Sequence, residues 1–205
     1  TYNYQLERQQ KKFRHQNELN IAKLTAIRSQ MNPHFIFNSL NSIQDLILQK
    51  KTVESYDYVV LFSELVRNAL NYSNREFISI QKEIEFLDTY LQLEQLRFKD
   101  DLHYQILYDG ADEIDVPSLM IQPFVENALF HGLLHKDGIK ELTVRFAFEE
   151  ELLICIIEDN GIGRKQAESI RTRQGQKHNS FALEAIQKRI DIFNEQQGKI
   201  VSKFM

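Results

Sequence analysis

The chain has 205 residues, of which 42% are hydrophobic and 11% aromatic, enough apolar material for one large domain or two small ones. Its formal net charge of -4 gives no overall basic field, so the composition does not support bulk electrostatic attraction to nucleic acid. The single cysteine, Cys155, excludes an intrachain disulfide, and no apolar run approaches the roughly 20 residues that cross a bilayer.

The N-terminal segment is predicted to be helical. Residues 2–31 contain no Gly or Pro and are rich in Gln, Glu, Lys and Arg, which are good helix formers. We interpret residues 1–31 as a long, mostly solvated helix. Its apolar residues are sparse, so it is either a plain surface helix or a dimeric coiled-coil rod that carries a signal, and we favour the rod.

The next segment, residues 32–101, predicts three helices. Apolar residues after Pro33 recur at helical spacing, a polar break at residues 49–52 follows, and a second periodic segment comes after it. These two helices should form an antiparallel hairpin. A third helix begins near Ile80 and ends near residues 99–101. The apolar stripe of the first helix is Ile36, Leu40, Ile43 and Ile47.

Residues 102–205 show a different pattern, which predicts an α/β sandwich. Three segments read as strands, the last of them buried: residues 103–108, 142–148 and 152–158. Residues 117–132 read as a helix between the first two strands. After a loop over residues 164–179, Ser180 can cap a last helix. The predicted fold class of the whole chain is therefore α+β.

The sequence Asn32-Pro-His-Phe-Ile-Phe-Asn38 places His34 directly after a proline. A ring nitrogen of imidazole is a good nucleophile at neutral pH, and the phosphoramidate that it forms is labile enough to pass the phosphoryl group on. Pro33 removes a backbone donor, so the helix should kink there or start afresh with Asn32 as its cap. His34 is thus a candidate phosphoacceptor at an exposed bend. The alternative is an ordinary surface histidine in a helix-starting turn.

A second cluster reads Gln122-Pro-Phe-Val-Glu-Asn-Ala-Leu-Phe-His-Gly132. Proline suits the first turn of a helix and glycine its end, so Asn127 and His131 should share a face at i and i+4, with Glu126 beside them. Amide and carboxylate oxygens are hard ligands that suit Mg²⁺. Asn127 is the candidate metal ligand, and Glu126 could hold a water or act as a base. The alternative is a plain polar helix face.

The third motif, Asp159-Asn-Gly-Ile-Gly163, follows the last predicted strand. The carboxylate of Asp159 can accept a hydrogen bond from an exocyclic amine such as adenine N6. Gly161 and Gly163 permit the positive φ of a tight turn and a close approach of the backbone. The alternative is a tight turn without a ligand.

The loop that follows is locally basic. Five cations stand against one acid, Glu168, a surplus of four positive charges (5 − 1): Arg164, Lys165, Arg171, Arg173 and Lys177. Such a loop predicts a mobile lid that orders over bound triphosphate, and a solvated basic loop is the alternative.

These motifs, together with Tyr90-Leu-Gln-Leu-Glu-Gln-Leu-Arg-Phe98, resemble those of LytS/YehU-type sensor histidine kinases over residues 24 to about 194. The resemblance implies a helical dimerisation region with His34 as phosphoacceptor, followed by an ATP-binding domain of the gyrase/Hsp90/histidine kinase/MutL type. By matching position, Asn127 would coordinate Mg²⁺, Glu126 and His131 would flank the phosphates, and Asp159 would bind adenine.

The chain departs from the family at the last glycine box. Gly-x-Gly-Leu appears here as Ser180-Phe-Ala-Leu183, where Ala182 and Leu183 would still border the nucleotide. Such domains also continue into closing strands, whereas this chain ends at Met205. If those strands are absent from the molecule, a sheet edge is exposed.

The reaction implied is transfer of the ATP γ-phosphoryl group to His34 and then to an aspartate of a response regulator, with Mg²⁺. The partners implied are a second copy of the chain, a regulator of the LytTR type and an upstream sensor or membrane region, with no nucleic acid. The protein would be the cytoplasmic part of a membrane-anchored bacterial protein. Two alternatives stay open: a nucleotide-binding or ligand-free signalling scaffold, and an ATPase that releases phosphate to water through Glu126.

Overall fold

A computed structural model describes residues 33–98, 101–110, 114–149 and 152–163. The helix predicted for residues 1–31 and the cap at Asn32 lie outside the described residues. So do the basic loop and the last helix, with the candidates Arg164, Lys177, Ala182 and Leu183. Within the described ranges no helix is long and apolar enough to span a membrane. The chain divides into two compact units between Phe77 and Ile78.

The first unit contains the predicted helical hairpin, which is confirmed. Helix α1 covers Pro33–Leu48 and helix α2 covers Thr52–Ser73. Between them Lys50 has a left-handed backbone (φ 59°). The N–H of Lys51 donates to the carbonyl of Leu46 at 3.0 Å, and that of Lys50 to Ile47 at 3.0 Å. This pair of bonds ends α1 as a Schellman motif and allows a connection of only three residues.

The buried face of α1 differs from the predicted stripe. Phe35 is buried and packs against Phe62 of α2, with ring centroids 6.4 Å apart. Leu40 and Ile47 of the predicted stripe are exposed. The two helices together carry eight exposed large apolar side chains, which we call the apolar strip: Phe37, Leu40, Ile47, Leu48, Val53, Tyr56, Val59 and Val60.

The second unit combines a long helix with a small mixed sheet. Its helices are α3 (Ile80–Phe98), α4 (Gln122–Asn127) and a π-helix (Ala128–Leu133). Its strands are β1 (Phe77–Ser79, which straddles the boundary between the units), β2 (Leu102–Asp109), β3 (Asp115–Pro117), β4 (Lys140–Glu149) and β5 (Leu152–Asp159). Strand β1 pairs with β3. The main sheet has the order β2-β4-β5, parallel in its first pair and antiparallel in its second.

The main sheet explains why apolar and polar residues alternate along β4. Leu142, Val144 and Phe146 of β4 are buried, whereas Arg145, between the last two, and Glu141, before the first, are exposed. Helix α3 packs on β2 through its apolar stripe, so the sheet and this helix share one core. The three predicted strands and the α+β class are confirmed.

Two expectations in this unit are corrected. The helix predicted from residue 117 begins only at Gln122, because Asp115–Pro117 forms a strand and the next residues form a turn. Leu119 in that turn has a positive φ of 54°, which no helix can accommodate. Strand β5 is less buried than predicted, since Ile156 is exposed and Cys155 only partly buried.

Candidate functional site

His34 lies in the first turn of α1, and its side chain is exposed. The side-chain amide Nδ2 of Asn38, one helical turn further on, lies 3.1 Å from Nδ1 of His34. The i, i+4 spacing of the helix brings the two side chains together. The histidine ring is therefore engaged through Nδ1, and its orientation depends on α1 itself.

This contact bears on which nitrogen of the His34 ring carries the proton when the ring is neutral. With the amide as placed, its N–H donates to Nδ1 of His34, and a neutral ring then carries its proton on Nε2. Rotation of the Asn38 amide by 180° would let Oδ1 accept a proton from Nδ1 instead. The lone pair of Nε2 is then available as the nucleophile. Asn38 can thus select the reactive tautomer of His34.

The helix predicted to carry Glu126 and Asn127 is two helices in succession. Helix α4 has Pro123 in its first turn, as expected, and ends at Asn127. It runs into the π-helix, where the N–H of Leu134 donates to the carbonyl of Leu129, five residues back, at 2.8 Å. Because a π-helix winds more widely than an α-helix, Asn127 and His131 do not have the regular i, i+4 relation that the sequence predicts. Asn127 is exposed and His131 half-buried.

The π-helix places Gly132 against the turn that follows β5, which begins at Asp159. A Cβ placed on Gly132 would lie 2.3 Å from Oδ1 of Asp159, and one on Gly161 would lie 2.3 Å from the carbonyl carbon of Gly132. The N–H of Ile162 also donates to the carbonyl of Gly132 at 3.0 Å. We call Gly132, Asp159, Gly161 and Ile162 the glycine contact. It joins the end of the π-helix to the end of β5.

Asp159 itself is held by its own turn. The N–H of Gly161 donates to its Oδ1 at 2.9 Å, which fixes the carboxylate beside the strand end. Oδ2 is the oxygen that can accept a hydrogen bond from a ligand amine. Gly163 has the expected positive φ, 77°, but Gly161 does not. Glycine is needed at position 161 because a side chain would collide with Gly132, rather than for its backbone freedom.

Asn160 anchors this turn to the neighbouring strand. Its side-chain Oδ1 accepts the N–H of Glu141 at 2.9 Å, and its own N–H donates to the carbonyl of Glu141 at 3.2 Å. Residue Asn160 thus extends the pairing of β4 and β5 by one position. The turn that presents Asp159 is part of the sheet and not a loose loop.

Glu126 is held by a buried amide. Gln122 is 1% exposed, and its Nε2 donates to Oε1 of Glu126 at 2.7 Å across one turn of α4. The hydrogen bond orients the Glu126 carboxylate on α4. Sequence reasoning missed Gln122, although its spacing of four residues from Glu126 was a usable signal.

The side chains around Asn127 could supply only part of the ligand set of a Mg²⁺ ion. Asn127 offers an exposed amide oxygen, which is a hard ligand of the kind that Mg²⁺ takes. Over the described ranges no group of three or more His, Cys, Asp or Glu side chains lies close enough to hold a metal ion. An ion at Asn127 would therefore be completed by phosphate oxygens and water.

The structure thus brings some candidates together and leaves others apart. Gly132, Asp159 and Gly161 are in direct contact, and Glu126, Asn127 and His131 precede Gly132 on the same pair of helices. His34 belongs to the other compact unit. Sequence reasoning read Gly132 as a helix terminator, and its role in the glycine contact had no sequence signal.

Comparison with known proteins agrees with these motifs. The profile of a family described as histidine kinase matches residues 22–102. The sensor histidine kinase YpdA of Escherichia coli is 35% identical over 147 residues, which are 70% of this chain and 25% of YpdA. The sensor protein LytS of Bacillus subtilis is 33% identical over 144 residues, 69% of this chain and 24% of LytS. YwpD of Bacillus subtilis is 32% identical over 183 residues, 86% of this chain and 64% of YwpD.

The chain spans about a quarter of the length of YpdA and of the LytS proteins that it matches. The matched part includes the His34 motif, which lies inside the family profile. On these grounds the chain belongs to the LytS-type sensor histidine kinases.

Proposed function

We propose that this chain is the ATP-dependent kinase core of a two-component sensor. It transfers the γ-phosphoryl group of ATP to His34, and the group then passes to an aspartate of a response regulator. The observation that carries the proposal is the glycine contact, which packs the π-helix that follows α4 against the turn that presents Asp159. This contact occurs in a chain that matches the histidine kinase profile. A nucleotide site needs both parts side by side.

In the proposed site, Oδ2 of Asp159 accepts a hydrogen bond from the adenine amine, and Gly161 and Gly163 let the backbone approach the ring. Asn127 holds Mg²⁺, which when bound neutralises charge on the phosphates. Glu126 and His131 flank those phosphates. Beyond the described residues, we assign Arg164 and Lys177 to a lid over the triphosphate, and Ala182 and Leu183 to its border. The arrangement proposed for residues 102–205 is the ATP-binding sandwich of the gyrase/Hsp90/histidine kinase/MutL type.

The chemistry proposed at His34 is an in-line displacement. The lone pair of Nε2 forms the new bond to Pγ, the bond between Pγ and the β,γ-bridging oxygen breaks, and ADP leaves with that electron pair. The proton on Nδ1, which Oδ1 of Asn38 can hold in a hydrogen bond, passes to water as the ring becomes a phosphoramidate. The 3.1 Å contact between Asn38 and Nδ1 supports this assignment once the Asn38 amide is turned so that its Oδ1 accepts the Nδ1 proton.

We further propose that residues 32–101 form a homodimer through the apolar strip. Phe37 is 67% exposed, Leu48 72%, Val53 69% and Tyr56 69%, and a two-helix unit cannot cover them itself. Packing against the same strip of a second copy would produce a bundle of four helices. The upstream helix of residues 1–31 would bring the signal from a membrane-anchored sensor region, which leaves this part in the cytoplasm. The regulator served is proposed to be of the LytTR type.

A second function, a nucleotide-binding scaffold without kinase activity, draws support from one feature of the sequence. The box Ser180-Phe-Ala-Leu183 lacks the glycines that the family uses to bring backbone close to phosphate. Such a scaffold would bind nucleotide and signal by its shape alone.

Incubation of the purified protein with γ-labelled ATP and Mg²⁺ separates these functions. We expect label that is labile to acid and stable to alkali, absent from His34→Gln and retained in His103→Gln, a matched change at an exposed histidine of β2. A scaffold would bind ATP and take no label. An ATPase would release phosphate steadily in both variants.

A further inference from the structure

Glu83 is a carboxylate buried in the apolar core of the second unit. It lies in the first turn of α3 and is 0% exposed. Its Oε2 accepts the N–H of Leu119 at 2.9 Å, and its Oε1 accepts the N–H of Ile121 at 3.1 Å. A buried carboxylate is costly unless it is hydrogen-bonded, so these two backbone bonds explain how the chain tolerates it.

The turn that Glu83 binds is strained. Leu119 has a φ of 54°, a left-handed conformation that side chains other than glycine and asparagine rarely adopt. Leu119 is also buried, with 3% of its surface exposed. Such a conformation persists only where the surroundings fix it. The N–H groups of Leu119 and Ile121, on either side of Met120, donate to the Glu83 carboxylate, and these two hydrogen bonds supply that constraint.

The same turn starts the nucleotide-binding helix. The carbonyl of Ile121 accepts the N–H groups of Phe124 at 3.0 Å and Val125 at 3.3 Å, so Ile121 is the N-cap residue of α4. The backbone N–H of Ile121 donates to Oε1 of Glu83. The bond between Ile121 and Glu83 therefore holds the residue that directly precedes α4.

A third element lies near the same carboxylate. The pKa of the Cys155 thiol is raised to about 12, mainly by burial and in addition by the negative charge of Glu83. Cys155 is on β5, four residues before Asp159. Glu83 thus joins α3 to the turn before α4, and its charge acts on a residue of the strand that leads to Asp159.

We propose that Glu83 is a positioning residue for nucleotide binding, which sets the start of α4 so that Asn127 faces Asp159 across the glycine contact. Glu83 touches no ligand, because its side chain is fully buried. This inference rests on the proposed function, since it assumes that the two motifs share one nucleotide.

The variant Glu83→Gln tests the proposal, because the amide keeps the size of the side chain but turns an N–H donor toward one of the two backbone N–H groups. Binding of ADP with Mg²⁺ to the full-length protein is measured by calorimetry well below the unfolding temperature. We expect the Kd to rise at least about tenfold at unchanged stoichiometry. The matched control is Glu85→Gln on the same helix, an exposed glutamate, which should bind as the wild type does.

Amide hydrogen exchange reports the same contact without a ligand. We expect faster exchange at Leu119 and Ile121 in Glu83→Gln, while Lys140, whose N–H donates to the carbonyl of Asp101 at 2.8 Å, keeps its protection. If Glu83→Gln fails to fold, Glu83→Asp, which keeps the charge on a shorter side chain, is measured in its place. A folded variant with unchanged Kd overturns the inference, as does a uniform rise in exchange across the unit with unchanged Kd. A wild type that does not bind ADP refutes the proposed function instead.

Discussion

Substitution of Gly132 by alanine tests the glycine contact by adding one methyl group. In wild type, the place of that methyl lies 2.3 Å from Oδ1 and 2.8 Å from Cγ of Asp159. An ordinary contact is 3.4 Å or more, so the oxygen must retreat by about 1.1 Å (3.4 − 2.3). Alternatively, the π-helix must shift away from the turn by a similar distance. Either movement misplaces the carboxylate that we assign to adenine.

The size of the effect follows from two opposed terms. Overpacking a well-fitted site costs about 1–3 kcal/mol. Alanine in place of a helical glycine gains up to about 1 kcal/mol, and Gly132 has no positive φ that would oppose the change. The gain is present with and without nucleotide, so only the overpacking cost falls on the bound state, where Asp159 must be in place. Since each 1.4 kcal/mol is about tenfold, a cost of about 1–3 kcal/mol should lower the affinity for ADP about 5- to 150-fold.

The assay is calorimetric titration of Gly132→Ala with ADP and Mg²⁺, together with thermal unfolding. The matched control is Gly138→Ala, at a glycine with a φ of 76° and no atom within 4 Å of an added Cβ. This control should lose about 1 kcal/mol of stability from backbone strain and keep its nucleotide affinity. Equal Kd values for Gly132→Ala and the wild type would refute the reasoning.

Four further predictions concern other parts of the chain. Asn38→Ala should slow autophosphorylation about tenfold or more without changing the Kd for ADP, because the tautomer-selecting contact is lost, whereas Asn41→Ala on the same helix should not. Cys155, with its pKa raised from 9.0 to about 12, should have about a thousandfold smaller thiolate fraction at pH 8, so alkylation should be slow until the protein is unfolded. The same shift contributes stability that is present below about pH 9 and lost as the pH rises toward 12, which the pH dependence of the free energy of unfolding checks. Tyr56→Glu should convert the dimer to a monomer in sedimentation experiments, and Arg75→Glu outside the apolar strip should not.

Much of the fold could be predicted because its elements have strong local periodicity. The three helices α1 to α3 show apolar residues at helical spacing, and strand β4 alternates with period two. What sequence reasoning placed wrongly depends on distant contacts. The strained turn at Leu119 is held by Glu83, 36 residues away, so no local pattern could show that the helix begins at Gln122 and not at residue 117.

The stripe of α1 shows a second limit of periodicity. Leu40 and Ile47 have helical spacing but are exposed, while Phe35 is buried against α2. Periodicity shows that a face is apolar, and it does not show whether that face packs within the chain or against a partner. An apolar face left exposed by the hairpin is what our proposed dimer would cover.

The candidate site was predictable in composition and less so in geometry. Asp159 and Gly163 could be assigned to a turn at a strand end, because a buried strand pattern runs into glycines. The contact of Gly132 with Asp159 could not be predicted, because it depends on the π-helix, and periodicity does not distinguish a π-helix from an α-helix.

The central claim is that the His34 imidazole receives the γ-phosphoryl group of ATP. The most direct measurement is mass spectrometry of the protein after incubation with ATP and Mg²⁺, under neutral conditions that preserve phosphoramidates. The account predicts one added phosphoryl group per chain, located at His34 and absent in His34→Gln. Phosphorylation at any other residue, or an equal phosphoryl content in His34→Gln, would contradict it.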